Sequence, residues 1–589
     1  MQYTKTLTDS GWFSGVKASQ AFAATSSAPC PAFSRIRCRQ WKQELKSKEI
    51  AAVSSASIPK ATSGVLAQDF GLSNKAQKPT TATSAVFLRD RVVEPSTEHI
   101  PHNDVSPAAL IEALSKERNL NNAQQLAFSI AAQHFFEQMS GTSIQPLRLL
   151  MHGAGGTGKT VVVRLLRELL ERYGKGAQIL FMAPTGKAAS AIGGSTQHSA
   201  FALHVHRKNV TADELGAAHK DDITPQRIKY LQEKLRDIAW VFFDEVSMTS
   251  CETMAEIDQS LRVGKEVLDV PFGGVNVLFA GDLCQLPPVG ATPLYRTYAS
   301  TNLTMDNRTK AHLGRAVWKE VTKVVEFTEQ MRMRDEDMAE TLSRLRLRKC
   351  VAADARLLNA NVLKSDKSPD GLSLQDRPEV MVLTRTNHTV RTLNHEKAAA
   401  HGLAKGAEVH QSYADDTTTT TMTNEQRIVL LSYHGMTGSK IGLGRLPLFV
   451  GMPVVFRGGN QSVALGVTNG AFAVVAGYDL VADKGGLQVA RGLLLRFPRL
   501  ENLTLTWLPE GCYPIIPMSS KFSFKDDADG PVIQVARKQL PIQPGFAMTV
   551  HSAQGITAEN GVVVDLTKGG FEALTAPGFL MNFRKNSIA

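Results

Sequence analysis

From Pro107 onward the apolar residues recur at helical spacing. The run AALIEALSKERNLNNAQQLAFSIAAQHFFEQM has an apolar face throughout, interrupted by a turn-like NLNN. Four short apolar runs follow, LRLLMHG, ILFMAP, WVFFDE and VNVLFAGD, with helical stretches between them. Each ends in small or acidic residues, as strands do in parallel α/β sheets whose loops build a site. The expected fold class is therefore α/β, with a first domain over residues 106–328 and a second over 329–589. In the second, EVMVLTRT (379–386) and GVVVDL (561–566) read as strands. Between them PLFVGMPVVFR, GAFAVVAGYDL and the low-complexity tract DDTTTTTMT suggest a small β insertion at about 455–540.

Residues 1–105 are rich in Ser, Ala and Thr and show no sustained apolar period, so they are expected to be disordered. Thirteen Lys and Arg against eight Asp and Glu give this tail +5 of the chain's net +11. Its first 42 residues hold six basic side chains and one acid, Asp9, a composition compatible with an organelle transit peptide. The expected compartment is the nucleus, with the mitochondrion as alternative. Elsewhere the composition is ordinary, 43% hydrophobic and 21% charged. The longest apolar stretches, such as AWVFF, fall far short of a membrane span, and no membrane partner is expected. Six cysteines without a Cys-x-x-Cys pair argue against a zinc ribbon or a disulfide framework. A pI near 9.2 suits a polyanionic partner, although a basic tail on a near-neutral globule explains it equally well.

The sharpest chemistry is GAGGTGKT, formed by Gly153, Ala154, Gly155, Gly156, Thr157, Gly158, Lys159 and Thr160. It fits G-x-x-x-x-G-K-[ST] between an apolar strand and an amphipathic helix. Glycines let successive backbone amides converge on phosphate oxygens, and the helix N-terminus adds a favourable dipole. Lys159 would reach the outer phosphates and Thr160 would ligate magnesium. ATP and Mg2+ are the expected cofactors. The cradle leaves the task open, because kinases, GTPases and motors share it.

Two further strand ends narrow it. AWVFF delivers Asp244 and Glu245, adjacent carboxylates that are costly to bury unless a cation awaits them. Asp244 is expected on magnesium and Glu245 on the attacking water as general base. A kinase has no need of that second acid, whereas an ATPase does. FAGDLCQLPPVG repeats the design with Asp282 and then Gln285 before a stiff Pro287–Pro288 turn. An uncharged amide can hydrogen-bond both water and γ-phosphate, so Gln285 can report which nucleotide is bound.

GAGGTGKT, FFDEVSM and FAGDLCQLPPV, in this order and spacing, resemble the superfamily 1 group B DNA helicases of the Pif type, and the likeness extends over most of residues 115–566. The resemblance implies two RecA-like motor domains and ATP-dependent 5′→3′ translocation on single-stranded DNA, by a motor expected to be monomeric. It also implies partners in single-stranded DNA and duplex junctions, and roles in repair, recombination or telomere maintenance. LNNAQ resembles the adenine-reading motif, which implies Gln124 on the base. APTGKAASAIGGSTQHSAF resembles the strand-contacting motif, carried by Thr185, Thr196 and His198. FTEQMR resembles the motif whose arginine, Arg332, crosses the domain cleft to the γ-phosphate. In VHSAQGIT the resemblance implies Thr549 and His551 on DNA, with Gln554 and Gly555 on the nucleotide side. PFGGVNVLFAGD and LSRLRLRKCVAADARLL look especially like members borne by Helitron transposons. Residues 202–236 are the candidate strand-separating wedge.

Two departures stand out. Ser552 occupies a position where the family usually has a basic residue, which should weaken DNA binding modestly. After GVVVDL the chain reads TKGGFEALTAPGFLMNFRKNSIA, and Arg584, the only arginine after Arg537, lies in no recognisable final motif. An arginine finger can be worth ~10³–10⁵ in rate. The alternative expectation is thus a nucleotide-gated single-strand-binding protein without turnover. An RNA helicase of the same superfamily is a further reading.

Overall fold

The computed structural model describes residues 32–55, 106–142, 144–203, 224–296, 305–331, 335–360, 380–433, 442–483, 486–525, 532–554 and 562–565. Arg332, Gly555, Arg584 and most of the candidate wedge (204–223) lie outside the described residues.

Six strands form the first sheet: β1 (Arg148–Gly153), β2 (Ile179–Ala183), β3 (Ser195–Thr196), β4 (Trp240–Phe243), β5 (Asn276–Gly281) and β6 (Lys323–Phe327). Their order is β3-β2-β4-β5-β1-β6 and every pairing is parallel. The four apolar runs of the sequence are β1, β2, β4 and β5; β4 and β5 are buried at every position, as strands covered on both faces must be. On one face helices α1 (Asn122–Met139) and α2 (Lys159–Arg172) bury Phe128, Phe135, Leu166 and Leu169. On the other, Met254, Ile257 and Leu261 pack with Phe243, Phe272 and Phe279. β6 is an edge strand whose exposed Lys323, Val324 and Glu326 hide its apolar alternation from a sequence reading.

A second parallel sheet has Met381–Thr384 at its centre, flanked by Ala547–Thr549 and Val562–Val564. Helix Asn387–Ala404 is stapled to it by Asn394, whose Oδ1 accepts from the Phe546 and Ala547 amides at 3.0 and 2.7 Å. Its Nδ2 donates to the Ala547 carbonyl at 2.9 Å. These bonds hold the short strand that delivers Thr549.

Between the second module's strands lies a seven-stranded, mainly antiparallel sheet that reaches from His410–Tyr413 to Ile542–Pro544. It is wider than the expected 455–540. A three-stranded sheet beside it seats Arg537, which is fully buried. Arg537 donates to both Asp416 carboxylate oxygens at 2.8 Å and to the carbonyls of Leu430 and Tyr433 at 2.6 Å.

The expectation of a tail disordered throughout residues 1–105 is corrected by helix Arg35–Ser55. Trp41 is buried in the core of the insertion, its indole N–H donating to the Thr506 carbonyl at 2.9 Å. Cys38, Leu45 and Ala52 pack beside it. The sparse apolar positions of this helix count only because a partner surface more than 400 residues onward covers them.

Candidate nucleotide and strand-contact site

The phosphate loop joins β1 to α2. Gly156 and Gly158 take φ of +88° and +82°, values that favour glycine. A Cβ on Gly158 would also lie 2.2 Å from the Gln124 amide nitrogen. Three loop carbonyls are tied outward: Gly155 by the Gln330 side-chain amide at 3.0 Å, Gly156 by the Met331 amide at 3.0 Å, and Thr157 by Gln124 Nε2 at 3.2 Å. In a planar trans peptide the carbonyl and the following N–H point oppositely, so these ties turn the amides of Gly156, Thr157 and Gly158 toward the cradle. Lys159 folds back onto the Gly153 and Ala154 carbonyls at 2.7 and 2.8 Å and onto Thr157 Oγ1 at 3.3 Å. Burial pulls its ammonium below the ordinary value, while Glu245, Asp282 and Asp244 act against that.

Gln124 is buried, and its amide oxygen accepts from the Asn121 N–H at 3.1 Å in a capping box that starts α1. Both ends of its amide are thus engaged by the chain, one on the helix cap and one on the phosphate loop.

Asp244 and Glu245 follow β4, and Glu245 sits at φ +50°, strained for a residue with a side chain. Its amide donates to Asp244 Oδ1 at 3.0 Å. Burial, and then the neighbouring Asp244 carboxylate, push Glu245 up to about 7. Burial likewise raises Asp244. Thr160 lies half-buried in the first turn of α2. A hydroxyl and a carboxylate suit a hard divalent cation, which would also return Asp244 to its charged form.

Gln285 follows β5 and is 8% exposed. Gln554, from the second module, reaches it: Gln554 Nε2 lies 3.4 Å from Gln285 Oε1 and 3.5 Å from Glu245 Oε2. The other end of that amide, Gln554 Oε1, is buried without a hydrogen-bond partner. The structure therefore brings Lys159, Asp244, Glu245, Gln285 and Gln554 together.

Arg346, the last residue of helix α3 (Glu336–Arg346), was not anticipated. It forms an ion pair with Asp282, which is 1% exposed. The Cys284 amide donates to Asp282 Oδ1 at 2.9 Å, so Arg346 braces the turn that presents Gln285. Its only sequence signal was its place in the basic LSRLRLRKC run.

The expected strand contacts share a local design. Thr185 follows a parallel strand, Thr196 and Thr549 each end one, and all three cap a short helix, accepting from the amides of Ala188, Ser199 and Ser552 at 3.2, 3.2 and 3.4 Å. A capping hydroxyl accepts with a lone pair and keeps its proton as a donor. Thr549 also pairs with Ser552 Oγ at 2.9 Å. His198 and His551 are exposed beside these caps. The segment after Thr185 abuts the insertion: Arg499 donates to the Ser190 carbonyl at 3.0 Å, and Lys187 lies 5.9 Å from the Phe472 ring centre. Burial pushes Lys187 down to about 7.

Comparison with known proteins places this geometry. The chain is 23% identical over 467 residues to an ATP-dependent DNA helicase Pif1 of a Psychrobacter strain, covering 71% of this chain and 62% of that one. It is 30% identical over 227 residues to the ATP-dependent DNA helicase RRM3 of Saccharomyces cerevisiae, covering 36% of this chain and 27% of that protein. The chain thus spans less than two thirds of the length of either relative. A Bacteroides Pif1 solved with bound single-stranded DNA shares the fold, with a TM-score of 0.50 and 17% identity over 80% of this chain and 92% of that one. Residues 119–349, which hold the phosphate cradle, both strand-end acids, Gln285 and Arg346, match the model of the PIF1-like helicase family.

Proposed function

We propose that this chain is an ATP-dependent DNA helicase motor that couples ATP hydrolysis to movement along single-stranded DNA. The observation that carries the reading is Gln554 reaching from the second module to both Glu245 and Gln285 of the first. A kinase acting within one domain has no use for such a bridge, whereas a motor must tie the nucleotide's state to the spacing of two modules.

The inward amides of Gly156, Thr157 and Gly158 would cradle the phosphates, and Lys159 would leave its two carbonyl partners for the outer ones. Magnesium, held by Thr160 and Asp244, supplies neutralisation of charge on the phosphates when bound. Glu245, with a carboxyl that accepts a proton near neutral pH, would take the proton of the attacking water. Gln285 and Gln554 would orient that water and share the γ-phosphate, with Arg332 and Gly555 proposed on the same side from the motif resemblance. The unpartnered Gln554 Oε1 fits this role, since a water in the cleft would satisfy it.

Thr185, Thr196, His198, Thr549 and His551 are proposed to grip the DNA backbone. Hydroxyl and backbone contacts to phosphate carry no sequence information, which suits a translocating motor. The 5′→3′ direction, a role at duplex junctions in repair, recombination or telomere maintenance, and residence in the nucleus rest on the motif resemblance.

The test is ATP hydrolysis by the full chain with and without single-stranded DNA, beside Lys159→Ala and Glu245→Gln. DNA-stimulated turnover that both variants abolish is expected. Normal turnover in Glu245→Gln would sink the assignment, and nucleotide and strand binding without turnover in the parent would favour the gated binder instead.

A further inference from the structure

The two faces of helix Arg35–Ser55 differ sharply in charge. The inner face carries Trp41, Cys38, Leu45 and Ala52, and both acids turn toward the insertion. Glu44 accepts from the Thr506 amide and Glu49 from the Ser462 hydroxyl, each at 2.9 Å. The docking is built, not incidental. The Phe33 amide donates to Asp479 Oδ2 at 3.0 Å, and the Phe33 ring fills the space where a Cβ on Gly492 would sit, 2.1 Å from that Cβ. A side chain at Gly492 would displace Phe33.

The outer face holds Arg35, Arg39, Lys42 and Lys46, all exposed. At positions i, i+4, i+7 and i+11 they fall within about 60° of arc, in a line of about 17 Å. Among the described residues none of the four has an acidic partner. Removing the acids from this face leaves a rigid row of cations on a fixed platform.

We propose that this row is a binding rail for the phosphate backbone of duplex DNA, held in place by the insertion. The proposal rests on the DNA-motor reading and adds a second contact to it. A line of about 17 Å matches about five base-pair steps of 3.4 Å, and a duplex carries twice the linear charge of one strand. Grooves that follow a single strand through basic side chains commonly add aromatic platforms on which bases stack. None stands among the four cations, since Trp41 is buried and the exposed Trp507 lies beside Arg37, about 160° round the helix from Arg35. Phosphates on a stiff cylinder fit such a surface, whereas unstacked bases do not.

The experiment compares the full chain with the variant Arg35→Gln/Arg39→Gln/Lys42→Gln/Lys46→Gln. The probes are a blunt fluorescein-labelled DNA duplex and a labelled oligothymidine, each titrated from 50 to 200 mM salt. If each cation neutralises one phosphate, the slope of log affinity against log salt for the duplex flattens by about 3.6. The parent's advantage over the variant then shrinks by about 150-fold across that range. The slope on oligothymidine should change far less. An unchanged duplex slope, with the parent binding both probes, overturns the rail alone. A parent that binds neither probe overturns the motor reading with it. If vesicles containing phosphatidylserine bind the parent and not the variant while duplex binding is unaltered, the row is a membrane contact and the proposal fails.

Discussion

Replacing Arg346 by Met removes the cation that braces the turn presenting Gln285. The side chains of Arg346 and Asp282 are 13% and 2% exposed, so the pair is nearly dry. Deleting one partner of such a pair leaves the other charge buried, at a cost of about 3–5 kcal/mol. Asp282 would keep the Cys284 amide and the weaker attraction of the Lys159 ammonium, but no cation paired to it. In a module of this size 1 kcal/mol moves the melting temperature by about 2–4 °C. Arg346→Met should therefore lower the nucleotide-free transition by about 6–20 °C, and DNA-stimulated turnover should fall with it because Gln285 loses its support. The assay is scanning calorimetry of the full chain, with the transition of the first module identified by its shift on adding ATP analogue and magnesium. The decisive comparison is Arg346→Met/Asp282→Asn, which buries no unpaired charge and should recover at least half of the lost stability. A single variant within about 1 °C of the parent, or a double variant no better than the single one, would refute the reasoning.

Three other outcomes follow from particular residues. Glu245 has its carboxyl raised to about 7 in the folded chain, so the protonated form favours folding at low pH and that contribution is lost as pH rises through 7. Nucleotide-free Glu245→Gln should melt several degrees above the parent at pH 8, with the gap closing toward pH 5; a gap independent of pH would contradict the burial argument. Arg537→Ala should destabilise the insertion by about 3–5 kcal/mol, and Arg537→Lys should not rescue it, since an ammonium cannot reproduce the bidentate pair with Asp416 and the bonds to the Leu430, Tyr433 and Gly442 carbonyls; full rescue in thermal unfolding would show that charge alone matters there. Trp41→Ala should release the N-terminal helix at a cost of about 3–5 kcal/mol, seen as rapid tryptic cleavage between Arg35 and Lys48, and unchanged protease resistance would show that the indole is not the anchor.

What could be read in the sequence was what the chain settles locally. GAGGTGKT becomes a cradle because its glycines, its following helix and its preceding strand are contiguous. Asp244, Glu245 and Gln285 sit at the ends of apolar runs that can only be buried strands. The strand Ala547–Thr549 was harder, being three residues long and shaped by its pairing with Met381–Thr384 far upstream. Arg346 was out of reach for a related reason. Nothing near it distinguishes it from Arg344, which instead pairs with Asp354; the choice depends on which acid each meets after the helix docks. The N-terminal helix shows the same limit at larger scale, since its four inner apolar residues look negligible until the insertion covers them.

These non-local contacts share a direction. Gln554 joins the second module to Glu245 of the first, Arg499 joins the insertion to the segment capped by Thr185, and Glu44 and Glu49 join the N-terminal helix to the insertion. The N-terminal helix also docks through the buried Trp41, and Leu286 of the first module packs with Met548 and Val550 of the second, but the Gln554 and Arg499 links are polar and both Gln554 bonds are long. A few weak bonds let surfaces part and re-form at a cost of about 1 kcal/mol each, as the proposed stepping of the modules requires. Within each module the pattern reverses: buried aromatic layers around β4 and β5 and the fully buried Arg537 make each part rigid. Under the proposed function, rigid bodies joined by breakable links would convert the loss of a γ-phosphate into displacement, and the Gln554 bridge reaches the acid proposed to act there.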